Sequence, residues 1–148
     1  MNPAVEQTLK DVCQSSFETK VGTAKEALSR LARGLHNGGV TNDQIKSLFV
    51  LFTRLFVSGD KSCSREEYEL FHSVTESDMT YDEFYEMTNG GSDAEFVEHV
   101  FDFISILNRD DRIALIIYGA CLVSADGVIT YPEAELVDRI LECKNVQA

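Results

Sequence analysis

Basic residues are scarce in this sequence, proline is nearly absent, and no apolar stretch is long enough to cross a bilayer. Thirteen Lys and Arg stand against 25 Asp and Glu, a formal net charge of −12. A field of that sign repels phosphate backbones and anionic headgroups, so no nucleic-acid partner is expected; it favours metal cations and basic protein segments, though an acidic surface is most often a device for solubility. With only 2 Pro and 9 Gly, and with 44% hydrophobic residues, the composition is that of a folded chain and not of a disordered or fibrous one. The longest apolar run, Ile113 to Val123, would rise about 16 Å as a helix against roughly 30 Å of hydrocarbon. It reads as a buried core helix, and no membrane span is expected. The amino terminus, Met-Asn-Pro-Ala-Val-Glu-Gln, has neither the basic nor the apolar region of a secretory signal.

Chemistry-bearing patterns are equally sparse. The 4 cysteines, Cys13, Cys63, Cys121 and Cys143, are widely spaced and form no C-x-x-C, so reduced thiols and a cytoplasmic location are expected. Cys121, inside Ile-Tyr-Gly-Ala-Cys-Leu-Val, reads as a small buried hydrophobe. His36, His72 and His99 lie far apart, and each is expected on or near a helix end, without a Cys or Ser at a nucleophile spacing. No Gly-rich phosphate loop, H-E-x-x-H or G-x-S-x-G occurs. The chain is therefore read as non-enzymatic.

What the sequence does contain is helix punctuation. Ser or Thr followed three residues later by Glu or Gln occurs at Thr41/Gln44, Ser64/Glu67, Thr80/Glu83, Ser92/Glu95 and Thr130/Glu133. Each is a capping box, in which the hydroxyl accepts the N3 backbone N–H and the N3 side chain reaches back to the N-cap N–H. Asn2-Pro3 opens a first helix through about Gln14, with Val5, Leu9 and Val12 on one face. Val21, Ala24, Leu28, Leu31, Ala32 and Leu35 mark a second, ended by Gly38-Gly39. Ile45, Leu48, Phe49, Phe52, Leu55 and Phe56 give a third with a strongly apolar face. Further helices are expected from about Arg65 to Val74, Tyr81 to Met87, Asp93 to Leu107, Asp110 to Ser124, and from Thr130 to about Cys143. The seventh is apolar almost all round, as the middle of a bundle requires. No run alternates as a half-buried strand does. The expectation is an all-α bundle of about eight helices in one domain, 1–148.

An internal repeat runs through it. At an offset of 66 residues, Phe56–Phe71 aligns with Leu122–Val137 without a gap, pairing Val57/Val123, Ser58/Ser124, Asp60/Asp126, Glu67/Glu133, Glu69/Glu135 and Leu70/Leu136 as identities, and Phe52 with Tyr118 just upstream. Such a repeat predicts a pseudo-twofold duplication that brings the two loops near one another. The second loop, Asp126 to Glu133, matches the latter half of an EF-hand loop, but Leu122 and Ser124 stand where calcium needs carboxylates. A calcium-loaded EF-hand is not expected. Glu67 and Glu133 have a sufficient structural task as capping residues, and Asp60 and Asp126 a simple one in accepting N–H bonds within their own turns. As metal ligands, the four would suit a hard divalent cation such as Ca2+, Mg2+ or Mn2+.

The apolar helix running into Ser124-Ala125-Asp126-Gly127, then Val-Ile-Thr and Glu133, resembles the TerB-like family, which takes in tellurite resistance protein B and the amino-terminal domain of DjlA-type co-chaperones. The degenerate copy at Ser58-Gly59-Asp60 resembles the first half of that family's duplicated fold. The resemblance is specific over 112–141, moderate over 41–107, and does not reach residues 1–40, the two amino-terminal helices; 41–107 and 108–148 would be the two halves. It implies a bacterial stress-response or tellurite-resistance protein without catalytic activity, binding metal through acidic loop residues that fall here on Asp60, Glu67, Asp126 and Glu133. Lys61 departs from the pattern by placing a cation beside Asp60. The other reading is a metal-free protein–protein interaction module whose acidic helical surface docks a basic partner.

Overall fold

The computed structural model describes residues 3–57, 64–88, 94–125 and 131–142. These form eight α-helices and no strand: α1 (Pro3–Gln14), α2 (Phe17–Asn37), α3 (Asn42–Val57), α4 (Arg65–Thr75), α5 (Tyr81–Thr88), α6 (Ala94–Ile106), α7 (Arg109–Val123) and α8 (Tyr131–Glu142). The all-helical expectation is met, with ends that shift by a residue or two.

Local chemistry explains where the helices start. Three capping boxes have both of their bonds: Thr41 with Gln44 at 3.0 and 3.2 Å, Ser64 with Glu67 at 3.0 and 3.1 Å, and Thr80 with Glu83 at 3.0 and 3.2 Å. Ser92, Thr130 and Asn2 lie outside the described residues, as do the side chains of Val5 and Leu9. Two further N-caps have no Glu or Gln at N3 and so escape the box pattern. Ser16 Oγ accepts from the Thr19 N–H at 3.1 Å, and Asn108 Oδ1 from the Asp111 N–H at 2.8 Å. At its other end α2 closes through Gly39, whose φ of 91° suits only glycine. The Gly39 N–H donates to His36 O at 3.0 Å and the Val40 N–H to Leu35 O at 3.1 Å, the two bonds of a Schellman motif.

α7 occupies the middle, touching α1, α2, α3, α4 and α8, and α2 most extensively. From Ala114 to Val123 only Ile117 is less than fully buried, so the absence of a polar face on this helix is a consequence of its position. Two glycines permit the neighbours to approach. A Cβ on Gly119 would overlap the ring of Phe56 on α3, and one on Gly34 would overlap the Asp111 carboxylate. Beside Gly119, Tyr118 hydroxyl lies 2.6 Å from Thr53 Oγ1, which itself donates to Phe49 O at 2.7 Å. Tyr118 is therefore the donor, and burial, which pushes its phenol well above the ordinary range, keeps that proton in place. The repeat-related pairs Phe52/Tyr118, Phe56/Leu122, Val57/Val123 and Phe71/Val137 are all buried.

α5 and α6 contain no Lys or Arg and are held by arginines from elsewhere. Arg54 of α3 lies over Phe96 at 4.0 Å and Arg139 of α8 over Phe101 at 3.9 Å, also bonding Glu98 at 2.9 Å. Arg112 of α7 donates to Leu107 O and Ser105 O at 3.1 Å each, closing the α6 carboxyl end. Arg65 covers Tyr81 at 4.6 Å, and Tyr68 donates to Met79 O at 2.9 Å while packing edge-on to Tyr81 and Phe84.

Two outcomes follow from this packing. Gly119→Ala must displace a buried ring and is expected to cost about 1–3 kcal/mol in denaturant unfolding, more than Gly34→Ala, which meets a short side chain that can turn. The second concerns Asp111, whose carboxyl is raised above its ordinary 3.8 by burial, then by Asp110, against the opposing pull of Arg30. A raised folded value means that ionisation disfavours the folded state. The penalty is absent below the unfolded value and appears as pH rises through the folded one. Asp111→Asn is accordingly expected to melt above wild type at pH 7, with the gap closing below pH 3.8.

Candidate functional site

Of the four residues expected to hold a metal, the structure describes the surroundings of one. Asp60 and Asp126 lie outside the described residues, as do Lys61, Cys63 and Cys143. Glu133 is the third residue of α8, with its side chain outside the described set. Glu67 is 4% exposed, at the N3 position of α4, with Oε1 accepting from the Ser64 N–H. It points back into its own helix start, as a capping role requires. Leu122 is in the core and Ser124 Oγ donates to Ala120 O at 2.6 Å, so the first and third positions of an EF-hand ring are occupied by a core side chain and a helix-closing hydroxyl. Among the described residues, no three or more His, Cys, Asp or Glu are grouped to hold a metal ion.

The residue nearest the second loop that stands out physically is Lys20. It is 3% exposed, and its ammonium donates to Ser124 O at 2.7 Å and Cys13 O at 3.2 Å. One cation thus closes the carboxyl ends of α7 and α1, where free carbonyls and the helix dipoles favour positive charge. Cys121 lies in the same field. Burial pushes its thiol up to about 11 against the pull of Lys20, so it is protonated at neutral pH and no nucleophile. Lys20 sits four residues before Ala24, on the stripe that continues through Ala27, Leu28 and Leu31. A lysine in register with an apolar face was the available signal.

His36 and His72 each stand at a helix carboxyl end, with Nδ1 3.1 Å from Val40 O and 2.9 Å from Ser77 O. His99 differs from expectation in standing mid-way along α6, edge-on to Phe103 at 5.4 Å. It lines a cavity of about 480 Å3 between α3 and α6, together with Leu35 and Val40 of the α2 Schellman turn, Leu51 of α3, and Phe103 and Ile106 of α6. A second cavity, about 930 Å3, lies between α2, α3 and the α4–α5 connection and is edged by charges of both signs, Lys25 and Lys46 against Glu76 and Asp78.

Charge is segregated along the chain. Of 25 acids, 12 fall between Glu66 and Asn108, a stretch without Lys or Arg; outside it 13 acids face 13 bases. The whole net charge of −12 therefore belongs to the stretch that holds α5, α6 and all of α4 but Arg65. Two of these acids sit at helix carboxyl ends and a third close to one. Glu76 caps α4 with φ 54°, Glu86 is in the last turn of α5 and Asp102 near the end of α6, and neither α5 nor α6 has a basic residue in its last turn. Comparison with known protein families, curated proteins and solved structures found no match.

Lys20→Met is expected to cost about 1–3 kcal/mol in chemical unfolding by leaving two helix-end carbonyls without their donor, with Lys20→Arg recovering part of it.

Proposed function

We propose that this chain is a non-enzymatic, TerB-like helical module of the stress-response or tellurite-resistance kind, and that it works by docking a basic partner protein on its acidic α4–α6 flank. The observation that carries the reading is the placement of charge. Glu76 and Glu86 stand at the negative ends of their helices, where an acid costs about 0.3–1 kcal/mol and a base would stabilise by as much, and Asp102 stands one residue before the last turn of α6. Folding alone does not favour that arrangement, whereas recognition of a cation does. The remainder of the chain is balanced in charge, so the flank is a directional feature and not a general device for solubility.

The duplicated halves of the TerB-like reading find support in the matching burial of Phe52/Tyr118, Phe56/Leu122 and Val57/Val123 on α3 and α7. That same repeat keeps a second function in view, a hard divalent cation held by Asp60 and Asp126, with Glu67 and Glu133 at the helix starts that follow.

Retention of the chain by immobilised polylysine is expected at low salt and not at about 1 M, where the Debye length falls to ~3 Å, with no response to chelators. Retention that persists at high salt contradicts the docking reading. The metal reading is tested by calorimetric titration with Ca2+, Mg2+ and Mn2+: it predicts heats and a raised melting temperature that Asp126→Asn removes, and unchanged heats and melting would eliminate it.

A further inference from the structure

The cavity between α3 and α6 combines an apolar interior with an edge of a single charge. Phe103 and Ile106 are 36% and 54% exposed, large side chains left open to water beside a trough already lined by Leu48, Leu51 and Phe52. At 100° per residue, His99, Phe103 and Ile106 share one face of α6, and Glu95 and Asp102, both exposed, flank the outer edge of that face. Asp43, in the first turn of α3, lines it as well, and among the described residues no Lys or Arg does.

We propose that this groove receives the apolar face of a cationic amphipathic helix belonging to a partner protein, an inference that rests on the docking reading above and gives it a location. Residues spaced along α3 (Gln44, Leu48, Leu51) and α6 (His99, Phe103, Ile106) line the groove together, which suits a helix that anchors side chains at i, i+3, i+4 and i+7. Its volume of about 480 Å3 falls within the range of pockets that bury a ligand's apolar surface. The charge decides among occupants. Fatty acids and phospholipids bring their own anions to an edge formed by Asp43, Glu95 and Asp102. A second copy of this chain meeting face to face would present the same patch, setting acid against acid. A helix with Lys or Arg beside its apolar stripe meets neither obstacle.

The probe is a peptide of about five helical turns with Leu along one face and Lys elsewhere, titrated against the full chain by fluorescence anisotropy, beside the same peptide with Glu for Lys. The Lys peptide is expected to bind, the Glu peptide not, and Ile106→Asp to weaken binding roughly tenfold or more, about 1.4 kcal/mol, with a cooperative melt lowered only by the small penalty of an acid at the α6 carboxyl end, because Ile106 is a surface residue. Amide shifts on titration are expected at Leu51, Phe103 and Ile106. Binding that is lost at high salt yet indifferent to Ile106→Asp overturns the groove and leaves the acidic flank as the docking surface. Equal binding of the two peptides, or none by the Lys peptide, also overturns the proposal. So does a dimer in sedimentation that Ile106→Asp dissociates, since the occupant is then a second copy.

Discussion

A helix without a polar face can exist in water only if other helices cover it on every side, and α7 imposes that condition on the rest of this molecule. Nearly every side chain from Ala114 to Val123 is out of solvent, so each polar group α7 brings inward must find a partner there. Asn108 closes its amino end. Lys20 closes its carboxyl end from α2, and Tyr118 spends its one hydroxyl on Thr53. Close approach then depends on what is missing: Gly119 admits the Phe56 ring and Gly34 the Asp111 carboxylate. α2 runs antiparallel along α7, with a lysine at one end of the contact and a glycine at the other.

Around that neutral centre the acidic helices are attached from outside. α5 and α6 supply aromatic rings and carboxylates, and Arg54, Arg65, Arg112 and Arg139 of the surrounding helices reach over to them. Cation–π and carbonyl contacts of this sort tether a helix while leaving most of its carboxylates in water; Glu98 bonds Arg139, which covers Phe101, and Glu69 of α4 lies 3.8 Å from Arg65, which covers Tyr81. Glu95, Asp102 and Glu86 remain exposed. The outer helices thus give their rings to the core and to arginines while several of their carboxylates face water.

The fold was legible because its punctuation is local. Thr41, Ser64 and Thr80 announce helix starts within four residues, and the periodicity of α2 and α3 names the faces that are buried. Ser16 and Asn108 escaped because a cap without Glu or Gln at N3 looks like any polar residue. The site was legible only in part. Glu67 was visible both as cap and as ligand, and its burial in a capping box supports the first role. Lys20 was hidden by an expectation that lysine belongs outside, although its spacing to Ala24 and Leu31 placed it on the apolar stripe. The groove could not be read from the sequence at all: His99, Phe103 and Ile106 form a wall only because α3 and the Val40 turn lie opposite, which is a fact of tertiary packing.

The central claim is that the acids near the carboxyl ends of α4, α5 and α6, unlike those in the first turns of the same helices, are held at some cost to stability because they serve recognition. A single variant carrying Glu76→Gln, Glu86→Gln and Asp102→Asn, with melting temperature and polylysine affinity measured on the same preparation, tests it most directly. The account predicts a higher melting temperature, from relief of the unfavourable dipole contacts of Glu76 and Glu86, together with weaker binding of the polycation. A lower melting temperature with binding unchanged would contradict it.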